Sequence, residues 1–296
     1  MNKIIICGSG NLLHRCLKEK TKDLDILKVY CNKTNYDTDY KIKNLLIEKK
    51  IPYSYRSVNK YLKKFILGQN KSDNISLISL QYKNIINQEI INLLKNKIYN
   101  IHFSYLPKNR GCYPIAHSFL DGSNYSGVTL HQINKGIDDG DIIKQIKLNL
   151  SKFKSAKELY IKKTIIGLSL YKYFINNLNK FTYKKQDNTN ATYYSKKSIN
   201  FANSYTNWNK NFYEILNFLK AMNFPPYQYP KLRYNKSNFE IIDFDLKKYK
   251  KFSFPGYAIR KKGFFYVNCI DATIKIKIEK KINKFIKNKD NLIFYI

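Results

Sequence analysis

The chain has 296 residues, 44% of them hydrophobic and 15% aromatic, with a formal net charge of +33. That is enough for two domains with packed cores, and no run reaches the roughly 18 consecutive apolar residues of a membrane-spanning helix. Five cysteines, an odd number with no C-x-x-C pair, argue against both a disulfide framework and a zinc site.

The N-terminus enters the apolar run Ile4-Ile5-Ile6 almost at once. That run is too short for a signal peptide, so the expectation is a soluble, cytoplasmic protein with buried thiols. Lys3–Cys7 reads as a strand, and the Gly8-Ser9-Gly10 turn leads into a helix carrying Leu12, Leu13, Cys16 and Leu17. Leu13 stands where a dinucleotide-binding fingerprint needs its third glycine, so that turn is only a strand-to-helix connection. Leu24–Tyr30 reads as a second strand, and residues 40–50 as a helix stopped by Ile51-Pro52. Ile75–Leu80 is a buried strand, residues 85–94 have helical spacing, and Tyr99–Phe103 is a strand carrying polar residues. Val128–His131 is a further strand. Alternating strands and helices imply an α/β fold: an open, mostly parallel, Rossmann-like sheet with helices on both faces.

Ser155-Ala156-Lys157-Glu158 has the form of a capping box and opens a helix to about Leu178. Residues 184–190 are polar and aperiodic. The expected organisation is a catalytic domain over 1–183, a linker over 184–205 and a small β-barrel domain over 206–296, OB-like, with one helix marked by Phe212, Ile215, Leu216 and Leu219. Its strands include 232–234 and 239–242, flanking an Asn-Lys-Ser-Asn turn, then 264–269 and 274–278 with strict Ile/Lys alternation.

Chemistry concentrates between Asn100 and Ile143. Asn100 and His102 are two apart on a strand, so both project to one side, near the carboxyl end of a sheet strand, where open α/β sheets bind ligands. A Ser104-Tyr105-Leu106-Pro107 loop follows, and Asp138 lies in a Gly-flanked loop after the next strand. An asparagine amide can donate to a developing oxyanion, a histidine can carry a proton, and a nearby carboxylate favours and orients the charged ring. Either motif alone is weak: Asn-x-His is common by chance, and Gly-x-Asp-x-Gly is ordinary turn chemistry. The ordered set of Asn-x-His, Ser-x-Leu-Pro-Lys-x-Arg-Gly, Gly-Val-Thr and Gly-x-Asp-x-Gly is far more specific.

This block resembles the 10-formyltetrahydrofolate-dependent formyltransferases, and 208–224 with Phe254-Pro255-Gly256 is similar to the C-terminal domain of some members. The resemblance implies N-formyl transfer with no metal. It makes Asn100 the transition-state stabiliser, His102 the acid/base and Asp138 the residue that tunes it. Ser104, Tyr105, Leu106, Pro107, Asn134, Lys135, Gly136 and Ile137 would line the 10-formyltetrahydrofolate site. His131 and His117 read as structural; Tyr82 fits a substrate pocket and a core equally.

The acceptor is open to more than one reading. Residues 31–39 (Cys-Asn-Lys-Thr-Asn-Tyr-Asp-Thr-Asp) lack the Pro-, Arg- and Gly-rich basic insertion usual in the tRNA-directed members. His102-Phe103-Ser104 and Gly111-Cys112-Tyr113 look more like the sugar-nucleotide group, although Cys112 replaces a folate-contacting arginine of some relatives. The resemblance therefore favours a dTDP- or UDP-linked amino sugar as partner. Methionyl-tRNA is the alternative, and a catalytically idle binding module is a third reading that the intact Asn100/His102/Asp138 set disfavours. The charge suits a polyanion, but the lysines are spread along the chain and accompany Asn, Ile and Tyr, as AT-rich coding produces. A homodimer is compatible with the sequence, which leaves oligomeric state and the role of the C-terminal domain open.

Overall fold

The computed structural model describes residues 2–19, 24–33, 37–68, 74–286 and 291–295. The chain divides into two compact units: Met1–Cys112 with Ser126–Leu148 and Ile161–Tyr194, and Tyr113–Tyr125 with Asn149–Tyr160 and Ser195–Ile296.

The first unit holds β1 (Asn2–Gly8), α1 (Gly10–Lys18), β2 (Leu24–Cys31), α2 (Asp37–Glu48), β3 (Tyr53–Ser54), α3 (Val58–Leu67), β4 (Ile75–Leu80), α4 (Gln88–Leu93), β5 (Ile98–His102) and β6 (Arg110–Gly111). After α5 (Pro114–Leu120), which belongs to the second unit, come β7 (Tyr125–Gln132), β8 (Ile142–Asn149), α6 (Ala156–Asn176) and β9 (Tyr193–Tyr194). Seven strands form one sheet in the order β3-β2-β1-β4-β5-β7-β8. The pairs β1–β2, β1–β4, β2–β3 and β4–β5 are parallel, and β5–β7 is antiparallel. Alternation along the strands separates the faces. Ile5, Leu77 and Ile98 pack with Val58, Leu62, Ile90 and Ile91 of α3 and α4, while Tyr99 meets Phe174 of α6 edge to face, 5.3 Å between ring centroids. The expected mostly parallel sheet with helices on both faces is what forms. Tyr82 packs against the α3/α4 core and its hydroxyl accepts from the Val58 amide, 3.3 Å away.

Several local readings need correction. Neither α3 nor β8 stood out in the sequence. The Ser155 hydroxyl does accept from the Glu158 amide, at 3.2 Å, but the Glu158 carboxylate returns to the Lys154 amide at 2.8 Å, one residue before the cap. Of the segment 31–39 used to weigh the acceptor, residues 34–36 lie outside the described residues.

The second unit contains α7 (Phe212–Met222), β10 (Lys231–Tyr234), β11 (Ser237–Phe244), β12 (Tyr257–Lys261), β13 (Phe264–Asn268), β14 (Thr273–Ile278), α8 (Asn283–Ile286) and β15 (Asn291–Ile293). Asn211 starts α7 with a complete capping box to Glu214. Six strands run β10-β11-β14-β13-β12-β15. An antiparallel bridge between Arg233 and Tyr295 links the two ends of that order, so the sheet closes towards the expected small barrel. The turn joining β10 and β11 is two residues rather than four: Tyr234 pairs with Ser237, and Asn235 and Lys236 both have positive φ. Isoleucines 274, 276 and 278 face the barrel core around Trp208, Phe212 and Phe239. Four cysteines are buried, Cys112 is half-buried, and all five are free thiols.

Candidate active site

The site is built on two neighbouring strands. Asn100 of β5 stands opposite His131 of β7, and His102 opposite Thr129. Asp138, in the loop between β7 and β8, reaches back to them in a left-handed conformation (φ 53°). Its Oδ1 accepts from Asn100 Nδ2 at 3.2 Å and lies 3.4 Å from His131 Nε2. Its Oδ2 lies 3.4 Å from His102 Nδ1 and accepts the Gly111 amide at 2.8 Å. The three residues expected to carry the chemistry are thus brought together, with side-chain exposures of 8% for His102 and 14% for Asp138.

His131 was not expected there. Its Nδ1 faces the Gln132 carbonyl at 2.8 Å, which places a hydrogen on that nitrogen, and its Nε2 lies 3.2 Å from Asn100 Nδ2. The Asn100 amide nitrogen thus donates to Asp138 and also faces His131. The opposite amide orientation would set its oxygen against a carboxylate.

Electrostatics follow from burial and these partners. Burial pushes the His102 imidazole below its ordinary pKa. The Asp138 carboxylate and the Asn109 carbonyl, 2.8 Å from Nε2, oppose that shift, and His131 and Lys163 reinforce it. Both ring nitrogens face acceptors, so a neutral ring is poised with its charged form already provided for. At Asp138 burial acts to raise the pKa, yet His102, His131 and the Gly111 amide together hold the carboxyl well below the usual carboxylate range.

The loops expected to line a cosubstrate site flank this cluster in sequence. Thr129 Oγ1 donates to the Ser104 carbonyl (2.8 Å) and accepts from the Leu106 amide (3.2 Å). Gln145 of β8 adds bonds to the Leu106 carbonyl (2.8 Å) and to Thr129 Oγ1 (3.0 Å). Pro107 follows through a cis peptide, and Tyr105 packs on Gly127, where a Cβ would come 2.9 Å from the ring. Ser104 Oγ is buried with no hydrogen-bond partner among the described residues. Asn134 caps the Gly136 amide at 3.1 Å. Any side chain at Gly136 would strike the Asp139 carboxylate, Lys135 is exposed, and Ile137 offers an apolar surface. Lys163 of α6 is fully buried, its Nζ donating to the Phe103 carbonyl at 2.6 Å and to Ser126 Oγ at 2.7 Å. Gln145, Lys163 and His131 went unrecognised in the sequence; strand register reveals the two on strands, and the packing of α6 on the sheet reveals Lys163.

The model of the formyl transferase family matches residues 3–167, more than half of the chain. The chain belongs to the formyl transferase family. Among solved structures it is similar to WlaRD, a sugar 3N-formyl transferase crystallised in the presence of dTDP and 5-N-formyl-THF. Identity is 26%, the match covers 95% of this chain and 98% of that one, and the TM-score is 0.74. It is equally similar to an N-formyltransferase from Helicobacter canadensis in complex with folinic acid and dTDP-3-aminofucose, at 26% identity over 94% of this chain and 100% of that one, TM-score 0.74. Among curated proteins it resembles the methionyl-tRNA formyltransferase of Finegoldia magna, 36% identical over 115 residues, 38% of this chain. That match spans 37% of the relative's length.

Proposed function

We propose that this formyl transferase moves a formyl group from 10-formyltetrahydrofolate to the amine of a nucleotide-linked amino sugar, dTDP- or UDP-bound. The observation that carries this reading is the cluster of Asn100, His102, His131 and Asp138, set in a chain that matches sugar N-formyltransferases along nearly its whole length.

The residues present fit the cosubstrate. A folate ring system has polar edges and apolar faces; exposed Ile137 offers a partner for a face, and the exposed side chains of Asn134 and Lys135 offer partners for the edges. Ser104–Pro107 and Asn134–Ile137 would hold it, and when bound it supplies the formyl carbon and an amine leaving group. His102, neutral because it is buried, accepts the proton that the attacking acceptor amine sheds. Asp138 stabilises the imidazolium so formed, and the ring then returns its proton to the leaving nitrogen. Asn100 turns an amide hydrogen towards the formyl oxygen as negative charge develops there, and His131 stands against that amide nitrogen.

The test is tetrahydrofolate release from 10-formyltetrahydrofolate with a panel of dTDP- and UDP-amino sugars beside methionyl-tRNA. Release with an amino sugar supports the reading; release with methionyl-tRNA alone overturns the acceptor. That second acceptor is kept because the curated relatives include methionyl-tRNA formyltransferases. No release with any of them overturns the reading as a whole.

A further inference from the structure

Gln186 lies in a polar stretch with no apolar periodicity. It is half-buried, while residues 182–185 and 187–190 are exposed. Its side chain is turned into the site and every hydrogen-bonding capacity of its amide is used. Nε2 donates to the Asp138 carbonyl at 2.9 Å and to the Gly140 carbonyl at 2.7 Å. Oε1 accepts from Arg110 Nε at 3.1 Å and from Arg110 Nη2 at 2.7 Å. Arg110 also reaches Asn188 Oδ1 at 2.7 Å. The neighbouring Gly111 amide holds the Asp138 carboxylate. A closed circuit results: carboxylate to Gly111, along the chain to the Arg110 guanidinium, through Gln186, and back to the Asp138 carbonyl.

This circuit bears on a residue that is otherwise costly to place. A left-handed φ at a non-glycine residue is disfavoured and persists where surroundings over-determine it. At Asp138 those surroundings grip both ends of the residue, Gln186 at the backbone and Gly111 at the carboxylate. Rotation of that peptide by a few tens of degrees would carry Oδ1 and Oδ2 away from His131 and His102. Only an amide at 186 can donate twice to carbonyls and accept twice from a guanidinium; glutamate keeps the second half and loses the first.

We propose that Gln186 is a positioning residue for formyl transfer, aiming the Asp138 carboxylate at His102 through the Asp138 and Gly140 carbonyls. The inference rests on the proposed function for its link to turnover, but not for its geometry.

The experiment compares Gln186→Met, which removes both halves of the contact, with Gln186→Glu, which keeps the Arg110 half. Steady-state kinetics, the pH dependence of kcat and the NMR titration of the histidine ring protons are measured on the full chain. Four histidines make that spectrum assignable. The charged and titratable groups acting on His102 are Asp138, His131 and Lys163; neither variant replaces them, and because Gln186→Glu adds a carboxylate, the neutral Gln186→Met carries the pH test. Both variants should lower kcat by about 10- to 100-fold, the scale expected for a small misplacement of a reacting group, and leave both KM values within about threefold. Because Asp138 supports the charged ring, the His102 titration and the acid limb of kcat should move to lower pH in Gln186→Met. Comparable losses in the two variants locate the effect in the donated bonds. If kcat and the His102 titration both stay at wild-type values, the inference is overturned. A shifted His102 titration with unchanged kcat would uphold the positioning role and sink the catalytic reading of Asp138 and His102 instead.

Discussion

Asn100 and His131 stand directly opposite each other on β5 and β7, with Asn100 Nδ2 3.2 Å from His131 Nε2. The same amide nitrogen is 3.2 Å from Asp138 Oδ1. The His131 ring, with Nδ1 spent on the Gln132 carbonyl and Nε2 against the Asn100 amide, helps fix which end of that amide faces the acid.

Replacing His131 by leucine removes that restraint and fills the buried position with an apolar side chain. Asn100 is then free to turn its oxygen inwards, and Asp138 loses a partner. The expected result is a fall in kcat of about tenfold, the equivalent of one lost hydrogen bond at about 1.4 kcal/mol, with both KM values little changed. Steady-state kinetics on His131→Leu checks this, and a change confined to KM would show that the ring acts in binding.

His102→Ala should reduce kcat by about 10²- to 10⁴-fold, the usual range for a general acid–base group. Asp138→Asn should cost less, since it keeps a hydrogen-bonding side chain but removes the charge that favours the imidazolium. The wild-type rate should rise with pH through a limb below the ordinary histidine value, because burial lowers the pKa of His102. The folded-state pKa of Asp138 is depressed, so its stability contribution is present above the ordinary carboxylate value and is lost as pH falls through the folded value. Asp138→Asn should accordingly flatten acid denaturation at the low end of the pH range, which a melting series against pH would record.

Much of this site was legible because its chemistry is local in sequence. Asn100 and His102 share a face at spacing two, and Asp138 announces itself between glycines. What escaped depends on pairing. His131 enters the cluster only through the antiparallel register of β5 and β7, which no spacing within one strand reveals. Gln186 sits in a run without apolar periodicity, where a polar residue turned inwards looks like its solvated neighbours. The helix α3 keeps Val58, Leu62, Phe65 and Ile66 at helical spacing, but Ser57 makes no side-chain capping bond and no acidic residue occupies the first turn. In β8 only Ile142 is buried, and the run Ile-Ile-Lys-Gln-Ile-Lys-Leu-Asn has no strict alternation of apolar and polar residues to mark a strand. In the C-terminal barrel the Ile/Lys alternation of β14 was plain because one face is packed and the other solvated.

Gly127 is the point where β7 lets Tyr105 lie against the sheet. A Cβ there would stand 2.5 Å from the Ile146 carbonyl, 2.9 Å from Tyr105 Cδ2 and 3.0 Å from Tyr105 Cβ. Neither the backbone oxygen nor the packed ring can yield cheaply, so Gly127→Ala should destabilise the protein by about 1–3 kcal/mol, the usual cost of overpacking. Displacing Tyr105 disturbs the 104–107 loop, so KM for the formyl donor should rise more than KM for the acceptor. Thermal melting and donor-dependent kinetics test the two halves separately; an unchanged donor KM would remove Tyr105 from the donor site.

Lys163 supplies the last test, one of stability rather than turnover. It is fully buried, and burial holds its pKa well below the ordinary lysine value of 10.5. Its amine meets the Phe103 carbonyl and the Ser126 hydroxyl, neither of them an anion, so neither offsets the desolvation of a charge. Between the depressed folded value and 10.5 the unfolded chain binds the proton more tightly than the folded one. Stability therefore rises with pH across that window and levels off below the folded value. Lys163→Met keeps the length and removes the titration. It leaves the Phe103 carbonyl short of a donor, at a cost of about 1–3 kcal/mol, while abolishing the lysine's share of the upward slope. The melting temperature of the variant, followed from neutral pH to about pH 10, should start lower than wild type at the alkaline end and converge with it towards neutrality. Parallel curves would mean that Lys163 keeps its ordinary pKa despite its burial.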